Sequence, residues 1–157
     1  VKPQEEDSQT EDEIATEQSS QILALPAIGQ SPQFLCEAQV KKISPAALAY
    51  LGDAIYELYV RMFYLWPQQR PEIYHSLVVA QVRAEKQASH LRSLIPELRN
   101  HELEIVRRGR NAATGRPKRL DPEIYQQATS LETLVGYLYL TDYPRLTELL
   151  QKLPLEK

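Results

Sequence analysis

Cysteine occurs once in this 157-residue chain, at Cys36. A lone thiol excludes an internal disulfide and any cysteine-rich zinc centre, and it fits a reducing compartment. Glycine is scarce too, at five residues. No uninterrupted apolar run approaches the roughly 20 residues that a membrane-spanning helix requires, so the expected location is the cytoplasm. The P-loop, the Rossmann glycine pattern and the G-x-S-x-G nucleophile motif are all missing. His75, His90 and His101 are scattered without metal-ligand spacing and read as surface or packing histidines.

What is present is unevenly charged. The overall charge is −3, yet residues 1–20 hold seven acids and a single base, which leaves the remainder at +3. This acidic start has neither the basic, apolar character of a secretory signal nor the acid-poor character of a transit peptide. Residues 1–42 read as an acidic disordered tail and linker, and the folded domain as 43–157.

Leu, Ala, Glu, Gln and Arg dominate, and no segment shows strand alternation. The expectation is one all-α domain of about five to seven helices. Ser44-Pro45 offers an N-cap followed by proline at the first helical position, and that helix should run to about Leu65. A second should span about Pro71 to Leu94 and a third about Glu97 to Arg108. Asp121-Pro122 caps a fourth that carries Ile124, Ala128, Leu131, Val135 and Leu138, and the last covers Tyr143 to Leu153.

Asp53 is the anomaly in this pattern. At 100° per residue, Leu48, Leu51, Ile55, Leu58, Met62 and Leu65 form one apolar stripe, and Asp53 falls opposite it among Ala46, Ala49, Tyr56, Val60 and Tyr64. A helix apolar all round is normally buried. An unpaired buried carboxylate costs several kcal/mol, so Asp53 needs a partner, a metal or a wet cleft. A buried arginine or hydroxyl would also answer it. Glu132, at the margin of the Asp121 helix stripe, lies one turn before Gly136. A mid-helix glycine costs stability, and a common reason to keep one is the close approach of another helix. If the residue facing Glu132 is Asp53, the pair makes an oxygen-only site of the kind that holds magnesium. Glu57 and Arg61 read as a surface i,i+4 ion pair.

A second candidate is the run Arg107 to Arg119, R-R-G-R-N-A-A-T-G-R-P-K-R, with six bases and no acid. Its glycines and proline argue against one continuous helix. Such a loop suits several phosphates at once, through shape and backbone more than sequence. A solvated basic loop without a ligand is the competing reading.

The segment L-A-Y-L-G-D-A-I-Y-E resembles the L-G-D-A motif of ribonuclease III catalytic domains, and S-L-E-T-L-V-G-Y-L-Y-L resembles their second acidic motif. V-R-R-G-R-N-A and the basic loop after it are similar to the compact Mini-ribonuclease III form, which lacks a double-stranded-RNA-binding domain. Three motifs in order cover about Ile43 to Leu153. The resemblance implies a homodimeric, Mg2+-dependent endoribonuclease of the ribonuclease III fold, with Asp53 and Glu132 as catalytic and metal-holding residues. It implies hydrolysis of duplex RNA to 5′-phosphate and 3′-hydroxyl ends, on precursor 23S-type large-subunit ribosomal RNA, with a ribosomal protein as helper. Tyr50 falls where relatives place an aromatic dimer contact. Arg107, Arg108, Arg110, Asn111, Lys118 and Arg119 would hold the RNA backbone. Longer relatives carry further acids where this chain has Ala49 and Thr129, so protein ligation of the metal is thinner here. A catalytically inactive RNA-binding or ribosome-associated relative is the alternative, and the survival of both carboxylates argues against it.

Overall fold

Ser44 starts the longest helix, as its place before Pro45 predicts: its Oγ accepts from the Ala47 N–H at 3.2 Å. The computed structural model describes residues 35–115 and 118–156, so the acidic tail to residue 34, with Arg116 and Pro117, lies outside the described residues. Among the described residues stand seven α-helices, one 3-10 turn and no strand. They are α1 Glu37–Val40, α2 Pro45–Leu65, α3 Pro71–Val82, α4 Ala84–Leu94, the turn Ile95–Glu97, α5 Asn100–Ala112, α6 Pro122–Thr141 and α7 Tyr143–Gln151. Prolines at the first turns of α2, α3, α6 and α7 mark four of these starts, because a proline there loses no helical hydrogen bond. Asp121 caps α6 through Oδ1, and Asp142 caps α7 by accepting from the Arg145 N–H.

The core forms around α6. Its Leu131, Leu134, Val135 and Leu138 are buried against Tyr56 and Val60 of α2, Leu91 of α4, Ile105 of α5 and Leu146 and Leu149 of α7. Each fully buried leucine contributes about 1.5–3 kcal/mol, so this one helix organises most of the stabilising contact. α1 falls in the segment read as linker, and Val40 is buried with Leu48 and Leu140. Packed structure thus begins upstream of Ile43.

Three expectations are corrected. The helix predicted over Pro71 to Leu94 breaks at Arg83, which is extended at φ −70°, ψ 154°. The break lets α3 pack on α2 while α4 packs on α6, which one straight rod could not do. The third helix runs past Arg108 to Ala112, so half of the basic run is helical. On α2, which its all-round apolar character marks for burial, Leu48, Ala49, Gly52, Tyr56, Val60 and Tyr64 are buried, while Leu58, Met62 and Leu65 of the apolar stripe are exposed. Both faces are apolar, and periodicity locates a stripe without saying which side meets the core.

α2 and α6 cross backbone to backbone at two glycines. A Cβ on Gly52 would stand 1.7 Å from the Glu132 carbonyl oxygen, and one on Gly136 would stand 2.1 Å from that of Leu48. Neither obstacle is a flexible side chain, so even alanine would force the helices apart. The expected close approach at Gly136 is present, and Gly52 is its counterpart.

Candidate active site

The glycine crossing decides what lies at its edge. Asp53 follows Gly52 on α2, and Glu132 stands one turn before Gly136 on α6. The structure brings the two carboxyl groups within electrostatic reach of each other. Burial, and then the nearby charge of Asp53, push Glu132 up from its ordinary 4.5 to about 7. Burial and then Glu57 raise Asp53 above its ordinary value. Asp53 itself is exposed and Glu132 is half-buried, so Asp53 is not the fully buried carboxylate that the apolar helix pattern suggests. Glu57 is also paired with Arg61, whose Nε donates to it at 2.9 Å, as the i,i+4 spacing predicts.

Gln87, which the sequence reading passed over, reaches the same place from α4. It is only 2% exposed, and its polar side chain offsets part of the upward shift of both Asp53 and Glu132. Ala49 is buried and Thr129 half-buried, and neither adds a carboxylate.

The basic run is anchored to the same stretch of α6. A Cβ on Gly109 would meet Thr133 Oγ1 at 2.6 Å and Ser130 Cα at 3.1 Å, so glycine lets α5 lie close beside the turn that carries Glu132. Arg107 is committed to Glu104 through two hydrogen bonds of 3.0 and 2.6 Å. Arg108 is half-buried, whereas Arg110, Asn111, Lys118 and Arg119 are exposed. The six residues therefore do not form one loop: four ride the end of α5 and two follow it.

Residues 46–143 match the family described as the Ribonuclease III domain. The chain belongs to the ribonuclease III family. It is similar to Mini-ribonuclease 3 of Synechocystis sp., 60% identical over 111 residues, which covers 71% of this chain and 78% of that protein. Mini-ribonuclease 3 of Synechococcus sp. is also 60% identical, over 120 residues, covering 76% of this chain and 87% of that protein. A crystallised Fusobacterium nucleatum protein has a TM-score of 0.65 at 29% identity, covering 70% of this chain and 91% of that one. As a ribonuclease III of the compact kind, the chain is an endoribonuclease, a hydrolase whose domain type acts on double-stranded RNA and whose family is generally divalent-metal dependent.

The donors present fit such a metal. Burial and the charge of Asp53 disfavour the ionised form of Glu132, and a divalent cation beside the two carboxylates relieves that. Carboxylate oxygens suit Mg2+, which keeps several waters and needs only one or two protein carboxylates. Among the described residues no three His, Cys, Asp or Glu side chains form a metal cage.

Two further polar clusters brace the fold beneath the site. Tyr56 Oη lies 2.5 Å from His90 Nδ1 and 3.1 Å from the Gln81 carbonyl oxygen. A proton on Nδ1 satisfies both contacts, since the ring donates to Oη and the hydroxyl donates to Gln81. His90 Nε2 is left buried without a partner, and burial followed by the charge of Lys86 holds this histidine down at about 4, hence neutral. It is the packing histidine the sequence suggests; His75 and His101 are exposed. The other cluster pairs buried Glu102 of α5 with Arg145 of α7, at 2.8 Å from Nε and 3.0 Å from Nη2. No local pattern in the sequence announces it.

Proposed function

We propose that this chain is a maturation nuclease for large-subunit precursor ribosomal RNA, hydrolysing its double-stranded regions with Mg2+ as a homodimer. The observation that carries the reading is the Gly52–Gly136 crossing, beside which Asp53 lies close enough to Glu132 for its charge to raise the Glu132 pKa. Asp53 and Glu132 would hold the ion. When bound, it supplies Lewis acidity, acidifying water and offsetting charge on phosphate oxygens. Two carboxylates suit hydrolysis by water, which in this reading leaves 5′-phosphate and 3′-hydroxyl ends. Arg108, Arg110, Asn111, Lys118 and Arg119 would meet the RNA backbone, while Arg107 enters only by leaving Glu104.

Duplex RNA and a large-subunit precursor fragment, incubated with and without Mg2+, test this directly. Asp53→Asn is expected to slow cleavage about a hundredfold or more, the scale on which losing one charge-stabilising group acts. Unchanged cleavage would sink the site assignment, and tight binding without cleavage by the wild type would favour a structural relative. Charge reversal at Arg108 and Arg110 should weaken RNA binding and lower the salt slope by about 0.7–0.9 per lost phosphate contact. An affinity and slope equal to wild type would remove that segment from the interface.

Dimerisation is supported by the open face of α2. Tyr50 is 87% exposed, Met62 63% and Leu65 61%, with Leu58 and Trp66 also exposed. An apolar patch of this kind marks an interaction surface. A Leu58→Asp, Met62→Asp double variant is expected to sediment as a monomer at concentrations where the wild type is a dimer; a wild-type profile would place the interface elsewhere.

A further inference from the structure

The turn of α6 that carries Glu132 is a junction of three backbones. From α2, a Cβ on Gly52 would stand 1.7 Å from the Glu132 carbonyl oxygen. From α5, a Cβ on Gly109 would stand 2.6 Å from Thr133 Oγ1, 2.8 Å from Thr133 Cβ and 3.1 Å from Ser130 Cα. Thr133 has little room to give way. It is 1% exposed, its hydroxyl donates to the Thr129 carbonyl at 2.7 Å and lies 3.4 Å from that of Pro45, and its Cβ is fixed by the helix. Ser130, equally buried, is tied down in the same way by the Gln126 carbonyl at 2.7 Å. Gly109 is buried in the middle of α5, in line with Glu102 and Ile105 on the face that meets α6. Its backbone is helical, so glycine serves the approach and not an unusual conformation. A glycine inside a helix costs stability relative to alanine, and helices pack at ordinary separations with larger residues between them. What the closeness adds is position.

We propose that Gly109 is a positioning residue for the RNA substrate: its contact with Thr133 and Ser130 fixes the basic end of α5 at a set distance from the turn that carries Glu132. The inference rests on the proposed function, in that it takes Arg108, Arg110 and Asn111 as RNA contacts. Arg108 and Arg110 stand on either side of Gly109 and Asn111 follows, so the glycine holds the turn that bears all three. Phosphate contacts set the register of a protein on a duplex. For them to serve cleavage, their offset from the carboxylates must be fixed, because a misplacement of about 1 Å can cost a hundredfold in rate. The acid pair and the basic end are thus referred to one turn of α6, α2 through Gly52 and α5 through Gly109.

Gly109→Ala in the full chain adds one methyl group and removes no charge. It is expected to raise KM for duplex RNA about tenfold, the scale of one lost charged hydrogen bond, and by more than it lowers kcat. The salt slope of binding should fall by about 0.7–0.9 per lost phosphate contact. Mn2+ affinity, read by electron paramagnetic resonance, should stay at the wild-type value. Thr133→Gly clears Oγ1 and Cβ from the other side of the contact, so the double variant Gly109→Ala, Thr133→Gly should recover most of the wild-type KM while melting lower. A double variant no better than Gly109→Ala overturns the proposal, as does a folded Gly109→Ala with wild-type KM and slope. Loss of Mn2+ affinity in Gly109→Ala overturns it too, because the change then disturbs the carboxylates and not the basic end alone. Charge reversal at Arg108 and Arg110 separates this from failure of the wider reading. If reversal leaves RNA affinity unchanged, the end of α5 is outside the interface and Gly109 falls with it; weakened binding there, beside wild-type binding in Gly109→Ala, removes Gly109 alone. Circular dichroism melting reports the folding of each variant. If Gly109→Ala does not fold, Thr133→Gly decides, since it loosens the same contact without adding an atom: wild-type KM and slope there overturn the proposal, and a raised KM at wild-type Mn2+ affinity upholds it.

Discussion

Glu132→Gln is expected to abolish duplex cleavage and, in the same protein, to raise stability at pH 8. The two effects share one cause. Glu132 is carried to about 7 by burial first and Asp53 second, so in the fold its ionised form is disfavoured relative to an unfolded chain, where it titrates near 4.5. Because the folded state holds that proton to higher pH, wild-type stability falls as pH rises from about 4.5 to about 7, and is flat with respect to this group above that window. The shift corresponds to about 3 kcal/mol of lost stability at pH 8, which glutamine would return. Urea denaturation at pH 5 and pH 8 reads it: wild type and variant should lie close together at pH 5, with the variant more stable at pH 8. A divalent cation offers the wild type the same relief, so added Mg2+ or Mn2+ should raise the wild-type melting temperature at pH 8 and leave Glu132→Gln where it was. A variant that loses cleavage with no stability gain at pH 8 would mean that Glu132 is held neither by burial nor near the charge of Asp53.

A site that costs the fold stability is where function is expected to leave its mark on a sequence. Here the mark was legible because both carboxylates sit next to helix anomalies: Asp53 breaks an apolar helix, and Glu132 stands one turn before a mid-helix glycine. Helix starts were legible for a related reason. Ser44-Pro45 and Asp121-Pro122 act locally, through one side chain and one missing N–H, and no distant contact overrides them.

What escaped the sequence depends on contacts made elsewhere. Nothing near Arg83 breaks a helix; the break exists because α3 and α4 serve different partners. Gly109 reads locally as a place to end a helix, yet it continues one, since its missing Cβ is what lets α5 lie against Thr133. The core side of α2 was unreadable because its outward face is as apolar as its inward one. Gln87 looks like any polar residue of an amphipathic helix, yet it is buried.

The Glu102–Arg145 pair escaped most completely, and its removal is expected to be the most destabilising single change outside the site. The partners are 43 residues apart, 0% and 6% exposed, and the guanidinium meets the carboxylate through Nε and Nη2 while also donating to the Glu97 carbonyl at 2.7 Å. Burial alone would push Glu102 up. The hydrogen bonds from Arg145 and from the Arg99 N–H outweigh it and hold the carboxyl below its ordinary value. Arg145 is raised in turn, chiefly by its bond to Glu102. Arg145→Met would strand a buried carboxylate, which costs about 3–5 kcal/mol, a large part of the roughly 5–15 kcal/mol available to a domain. In a melt this is a fall of roughly 10–20 °C. Pairing the change with Glu102→Gln removes the stranded charge, keeps an acceptor for the Arg99 N–H, and should recover a substantial share. The sign with pH is distinctive. With Arg145 gone, Glu102 is free to follow burial upward and take a proton, so the deficit of Arg145→Met should shrink as pH falls from 8 to 5. Urea titrations at those two pH values measure it. A deficit under about 1 kcal/mol, or one that grows on acidification, would show that the pair is not a buried ion pair in solution.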